Sequence, residues 1–144
     1  MLKVIAATEG QRCEVLGSQV CLKLTGNDTQ GKFALLEYLL LPGQDMGSQV
    51  HSEEDQTLYI LEGEIELRTG EESRCVGAGT VVYVPRHHPH RFQAANGSPC
   101  RLLMAITPAG LELYYRECER LTAEQQDGRE HIVALSAEYG IRML

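Results

Sequence analysis

The sequence predicts an all-β barrel followed by two short C-terminal helices. Three observations carry this expectation. Short apolar segments recur between turn residues about every 8–12 residues, the pattern of a sandwich or barrel. Inside several segments apolar and polar residues alternate, as in a strand with one buried face. After Thr107-Pro108 the apolar period becomes that of a helix. A chain of 144 residues is one domain by size. The expected division is a barrel over about 14–106 and a helical segment over about 107–144 within that single domain.

Gln19 to Thr25 alternates Val, Leu and Leu with polar residues, and Gly26-Asn27-Asp28 then marks a turn. Phe33 to Leu41 is a richer apolar run ended by Pro42-Gly43, compatible with core or with an interface. Leu58 to Leu67 reads as a hairpin, Leu58-Tyr59-Ile60-Leu61 and Glu64-Ile65-Glu66-Leu67 about Glu62-Gly63. Thr69-Gly70-Glu71-Glu72 is a further turn. Cys75-Val76 precedes Gly77-Ala78-Gly79, and Val81 to Val84 is a β-branched strand stopped by Pro85, which cannot donate to a ladder. Arg91-Phe92-Gln93 is short, Asn96-Gly97-Ser98-Pro99 turns, and Arg101 to Ile106 is the last barrel strand. Thr107 is placed as the N-cap and Pro108 as the first residue of a helix. That helix carries Leu111, Tyr114, Tyr115, Cys118 and Leu121 on one face. A second runs from Arg129 to Tyr139, with Gly140 past its end. Both are expected to be amphipathic covers packed on the barrel or on a partner.

Apolar residues make up 43% of the chain, enough for a core built on Leu, Val, Ile and Tyr, since there is no Trp and only 2 Phe. The net charge of −7 argues against nucleic acid or an anionic membrane as partner. No apolar run approaches the ~20 residues that span a bilayer, and Met1 to Thr8 lacks the apolar region of a signal peptide. The 5 cysteines include no CxxC spacing. They are expected to be reduced thiols in a cytoplasmic protein.

The chemistry-bearing residues cluster in two stretches. After Gly43 come five residues, then Gln49-Val50-His51, four residues, Gln56, six residues and Gly63. After Gly79 come five residues, then Pro85-Arg86-His87, two residues and His90. Gln49 and His51, two apart on a strand, point the same way.

These spacings resemble the paired motifs of the cupin superfamily, which carry HxH and Glu in the first motif and PxG and His in the second. Gly17 to Leu41, Asp55 to Gly63, Thr107 to Glu112 and the end at Tyr139-Gly140-Ile141 are similar to small bacterial cupins related to quercetin 2,3-dioxygenase. The resemblance implies a double-stranded β-helix (jelly roll), a homodimer, and one divalent metal ion (Fe, Mn, Ni, Cu or Zn) held by Gln49, His51, Gln56 and His90. It also exposes departures. Gln49 stands at the family's first His, Gln56 at its Glu, His87 at the Gly of the second motif, and Ala94 at its closing Asn.

Imidazole suits several transition metals, and a carboxylate adds charge that holds a dication. An amide oxygen is a weaker donor, and Gln56 cannot accept a proton. The expected function is a small cupin that acts on or binds a small organic molecule at a divalent metal. Non-catalytic ligand binding at a degenerate site and sugar-type isomerase or lyase chemistry are the alternatives, and no catalytic residue is assigned. Glu53 is an alternative inward partner for His51, against a reading of Glu53-Glu54-Asp55 as a solvated acidic turn. His87 is a candidate partner for His90. Tyr38, Tyr59 and Phe92 are candidate pocket walls, and His88 and His131 are expected at the surface.

Overall fold

The computed structural model describes residues 1–15, 17–45, 47–124 and 129–144. Among the described residues there are eleven strands and three helices: β1 (Gln11–Val15), β2 (Ser18–Leu24), α1 (Gly26–Thr29), β3 (Ala34–Leu40), β4 (Gln49–His51), β5 (Asp55–Glu62), β6 (Glu64–Thr69), β7 (Glu72–Gly77), β8 (Val81–Val84), β9 (Arg91–Ala94), β10 (Cys100–Thr107), α2 (Leu111–Glu124), α3 (Arg129–Glu138) and β11 (Ile141–Met143).

Six strands form one antiparallel sheet in the order β1-β2-β3-β10-β5-β8. Facing it, β7-β6-β9 and β11-β4 are joined where Gln49 bridges His90, with Gln49 N–H donating to the His90 carbonyl at 2.9 Å and His90 N–H to the Gln49 carbonyl at 3.0 Å. Alternation decides which side faces in. Ala34, Leu36, Tyr38 and Leu40 of β3 are buried, as are Leu58 and Ile60 of β5 and Leu102, Met104 and Ile106 of β10. Register aligns Leu22, Leu36, Met104 and Leu58 across the sheet, so their apolar surfaces leave water together.

Three sequence expectations are corrected. Leu58 to Leu67 is not a hairpin: β5 belongs to the large sheet and β6 to the facing one. Gly63 is where the chain crosses, at φ 79°, and a Cβ there would lie 2.3 Å from the Pro99 carbonyl oxygen. Thr107-Pro108 does not open a helix. Thr107 still pairs with Asp55 in the sheet, the Thr107-Pro108 peptide is cis, and α2 begins at Leu111. Its first turn is held by Glu112, whose carboxylate accepts hydrogen bonds from the Gly26 and Gly110 N–H groups. Gly26-Asn27-Asp28 is a turn of helix, α1, rather than a simple reversal.

α2 buries Leu111, Tyr114, Tyr115 and Cys118 against the barrel. α3 ends before Gly140, which takes the left-handed conformation at φ 74°. The chain then returns as β11, pairing Ile141 with His51 and Met143 with Gln49. All five cysteines are free thiols. No helix among the described residues is long and apolar enough to cross a membrane.

Candidate functional site

The site lies between the two sheets, at the barrel end that α2 closes. Gln49 and His51 come from β4, whose three residues are all buried because β11 and the His90 segment flank it. Gln56 comes from the opposite sheet, paired with Ile106 and Val84. His90 stands directly across from Gln49. Two ion pairs fix these strands. Asp45, ahead of β4, pairs with Arg91. Asp55 accepts from Arg86 N–H at 2.9 Å and from its guanidinium at 3.2 and 3.3 Å, which ties the loop before His90 to β5. The Arg86 guanidinium holds the Asp55 carboxyl below the usual carboxylate range.

The structure brings all four sequence-predicted residues together, each buried. His51 Nε2 is 3.2 Å from Gln49 Oε1 and 3.3 Å from Gln56 Nε2. The His51 and His90 rings stack at a centroid distance of 5.5 Å, and Phe92 stacks on His90 at 5.4 Å. Hydrogen bonds on the far side of each ring set the tautomers. His90 Nδ1–H donates to the His88 carbonyl at 3.0 Å, so its Nε2 carries a lone pair. His51 Nδ1–H donates to Glu54 Oε1 at 2.7 Å, so its Nε2 does too. Burial pushes the His90 imidazole down to about 4, which keeps it neutral at neutral pH.

The interior is short of hydrogen donors. His90 Nε2 and Gln56 Oε1 are buried with no hydrogen-bond partner among the described residues. His51 Nε2 accepts from the Gln56 amide N–H, and Gln49 Oε1 lies beside the same ring nitrogen. Orphaned buried polar atoms cost about 1–3 kcal/mol each, so an unpaired nitrogen and an unpaired oxygen beside Gln49 and His51 suit a positive or hydrogen-donating guest. The void among them is about 20 Å³, about the room that one water or one ion needs. Its outer wall includes Ser18, Tyr38, Met104, Tyr114 and Tyr115. Burial pushes the phenols of Tyr38, Tyr114 and Tyr115 upward, so they remain protonated. Tyr114 and Tyr115 come from α2, which the sequence pattern marks only as a cover.

Other expectations divide. Tyr38 and Phe92 line the cavity, but Tyr59 faces outward and is 44% exposed. His87, His88 and His131 are exposed, and His90 is oriented by the His88 carbonyl rather than by the His87 side chain. Glu53 is exposed, which removes it as the inward partner of His51. Glu54 takes that place, 5% exposed, so Glu53-Glu54-Asp55 is not a solvated turn.

Residues 36–106 match the cupin domain family. The chain carries a cupin domain. The barrel of facing sheets is accordingly the double-stranded β-helix. Three solved structures illustrate the likeness. The polyketide cyclase RemF from Streptomyces resistomycificus is 24% identical, over 74% of this chain and 80% of that one, with a TM-score of 0.66. A sugar phosphate isomerase from a cupin superfamily, SPO2919 from Silicibacter pomeroyi, is 17% identical over 73% and 75%, with a TM-score of 0.63. The protein TT1209 from Thermus thermophilus is 35% identical over 54% and 74%, with a TM-score of 0.50. No curated protein matches the chain. Neighbours named for different reactions share this cupin fold, which therefore does not choose among them.

Proposed function

We propose that this cupin domain binds one divalent metal ion through Gln49 Oε1, His51 Nε2, Gln56 Oε1 and His90 Nε2, and acts there on a small organic molecule. The supporting observation is the pair of orphaned buried acceptors, His90 Nε2 and Gln56 Oε1, beside a His51 whose Nε2 is turned inward as an acceptor and is met there by the Gln56 amide N–H. The donor set fits imidazole-tolerant metals such as Fe, Mn, Ni, Cu or Zn. Because all four donors are neutral, an ion held there keeps its charge and supplies Lewis acidity toward an oxygen of the bound molecule.

The residues do the rest. Tyr38 and Tyr115 present neutral hydroxyls rather than bases. Among the described residues lining the cavity there is no carboxylate. Dioxygenation of the quercetinase kind, if it needs a carboxylate base at position 56, is therefore disfavoured against cyclisation, isomerisation or lyase chemistry that a polarised oxygen suffices to start. The missing carboxylate also favours a second reading, a cupin that holds its ligand without turning it over. Elemental analysis tests the first claim. The expected result is about one transition-metal ion per chain, as isolated or after adding Fe, Mn, Ni, Cu and Zn in turn. A chain that stays empty with every one of them contradicts it.

We also propose a homodimer. The outward side of the large sheet exposes Tyr59, Val81 and Tyr83 beside half-buried Leu35, Leu39 and Leu103. Leu2, Val4 and Ile5 are exposed on an N-terminal arm held by Lys23, whose ammonium donates to the Ala6, Ala7 and Glu9 carbonyls. Two apolar surfaces of one chain that do not cover each other are both covered when two copies meet about a twofold axis. Sedimentation equilibrium should give twice the chain mass, and Tyr59→Lys with Tyr83→Lys should give single chains. A wild-type monomer at micromolar concentration would refute it.

A further inference from the structure

Glu54 is the one carboxylate that touches the candidate site among the described residues, and no motif spacing points to it. It is buried, 5% exposed, on the short link between β4 and β5. A buried carboxylate is expensive unless paired. The side chain the structure pairs it with is His51, through Nδ1 at 2.7 Å. The imidazole is therefore held between a carboxylate on one side and the cavity on the other.

This placement bears on Gln56. The ring of donors facing the cavity is neutral, while a dication gains from a negative charge nearby. We propose that Glu54 supplies it: Glu54 is a positioning residue that fixes His51 with Nε2 inward, and its charge acts through the ring in place of the one that Gln56 lacks. The inference rests on the metal-binding reading above. Histidine ligands backed by a carboxylate are more basic and better oriented than unbacked ones, and loss of such a partner costs about 10–100-fold in metal affinity. The sequence hides the arrangement, because Glu54 sits in a run of three acids of which Glu53 points to solvent.

The test is a cycle of variants in the full chain, stripped with a chelator and titrated with Co²⁺ by calorimetry and visible absorption. Glu54→Gln keeps the size and an oxygen that accepts from His51 Nδ1 and removes only the charge. It should weaken Co²⁺ binding about 10–100-fold while leaving the absorption bands nearly in place, since the donor atoms are the same. Gln56→Glu should strengthen binding, and by a larger factor in the Glu54→Gln background than in the wild type, because the two carboxylates answer one need. The second comparison stands even where Glu54→Gln lowers stability, because both arms share that background. Unchanged affinity in Glu54→Gln, or equal gains from Gln56→Glu in both backgrounds, overturns the role of Glu54 while the metal site stands. A wild-type chain that takes up no Co²⁺ overturns the metal site, and the role of Glu54 falls with it.

Discussion

His90→Ala is expected to abolish the thermal stabilisation that a metal ion confers. A ligand present at ~100 times its dissociation constant stabilises the folded state by about 2.7 kcal/mol. In a domain of this size that raises the unfolding temperature by roughly 5–10 °C. His90 Nε2 has no partner among the described residues, so a bound ion would be its whole purpose there. Removing a ligand outright should cost more than the roughly 10–100-fold carried by contacts behind a ligand. The metal-free protein should suffer less. The substitution loses packing against Phe92 and His51, but it also removes a buried acceptor left unpaired at about 1–3 kcal/mol. The expected outcome is a modest change in the unfolding temperature without metal, and no rise on adding metal. A variant that gains as many degrees as the wild type would show that His90 is not a ligand.

Gly63→Ala carries the largest expected effect on stability. Gly63 holds φ 79°, and the added Cβ would meet the Pro99 carbonyl oxygen at 2.3 Å and Cys100 Cα at 3.0 Å. Both are backbone atoms and cannot rotate aside. Left-handed strain costs about 1–3 kcal/mol, and a steric conflict of this kind adds about 1–3 more. The total is roughly 3 kcal/mol or more. Gly79→Ala is the natural control, since Gly79 has φ 86° with open space around its Cβ position. Denaturant unfolding should show Gly63→Ala less stable than Gly79→Ala by at least about 1 kcal/mol. Equal losses would mean that the crossing from β5 to β6 tolerates a side chain. The position also bears on the site, because this crossing puts Gln56 on one sheet and the strands bordering His90 on the other.

The parts of the barrel legible in sequence are those with one wet face. β2, β3, β5 and β10 alternate because burial alternates along them. β4 is legible only through the spacing of Gln49 and His51, since its three residues are all buried and show no alternation, and β11, also of three residues, is not legible. β1 reads Gln-Arg-Cys-Glu-Val, too polar to register as a strand, and it forms by edge pairing with β2. The expected hairpin about Gly63 fails for a different reason. Two apolar runs around a glycine look alike whether the chain folds back or crosses between sheets, and the choice rests on the close approach of Pro99, 36 residues away in sequence. The sequence puts the start of α2 three residues early because Thr-Pro is a good local helix opening, while β10 continues through Thr107 on its ladder with β5.

The site is legible to the extent that spacing carries it. Gln49, His51, Gln56 and His90 converge because strand register puts their positions on facing inner surfaces. Glu54 is not legible, since nothing local separates it from its exposed neighbour. Tyr114 and Tyr115 are visible as a helix face, but their role as the cavity wall depends on where α2 docks.

The most direct test of the metal site is X-ray absorption at the metal edge of the wild-type chain loaded with one equivalent of Ni²⁺. The site as described predicts nitrogen and oxygen scatterers only, with the outer-shell signature of two imidazoles from His51 and His90. Sulfur in the first shell, or the signature of fewer than two imidazoles, would place the ion elsewhere and contradict it.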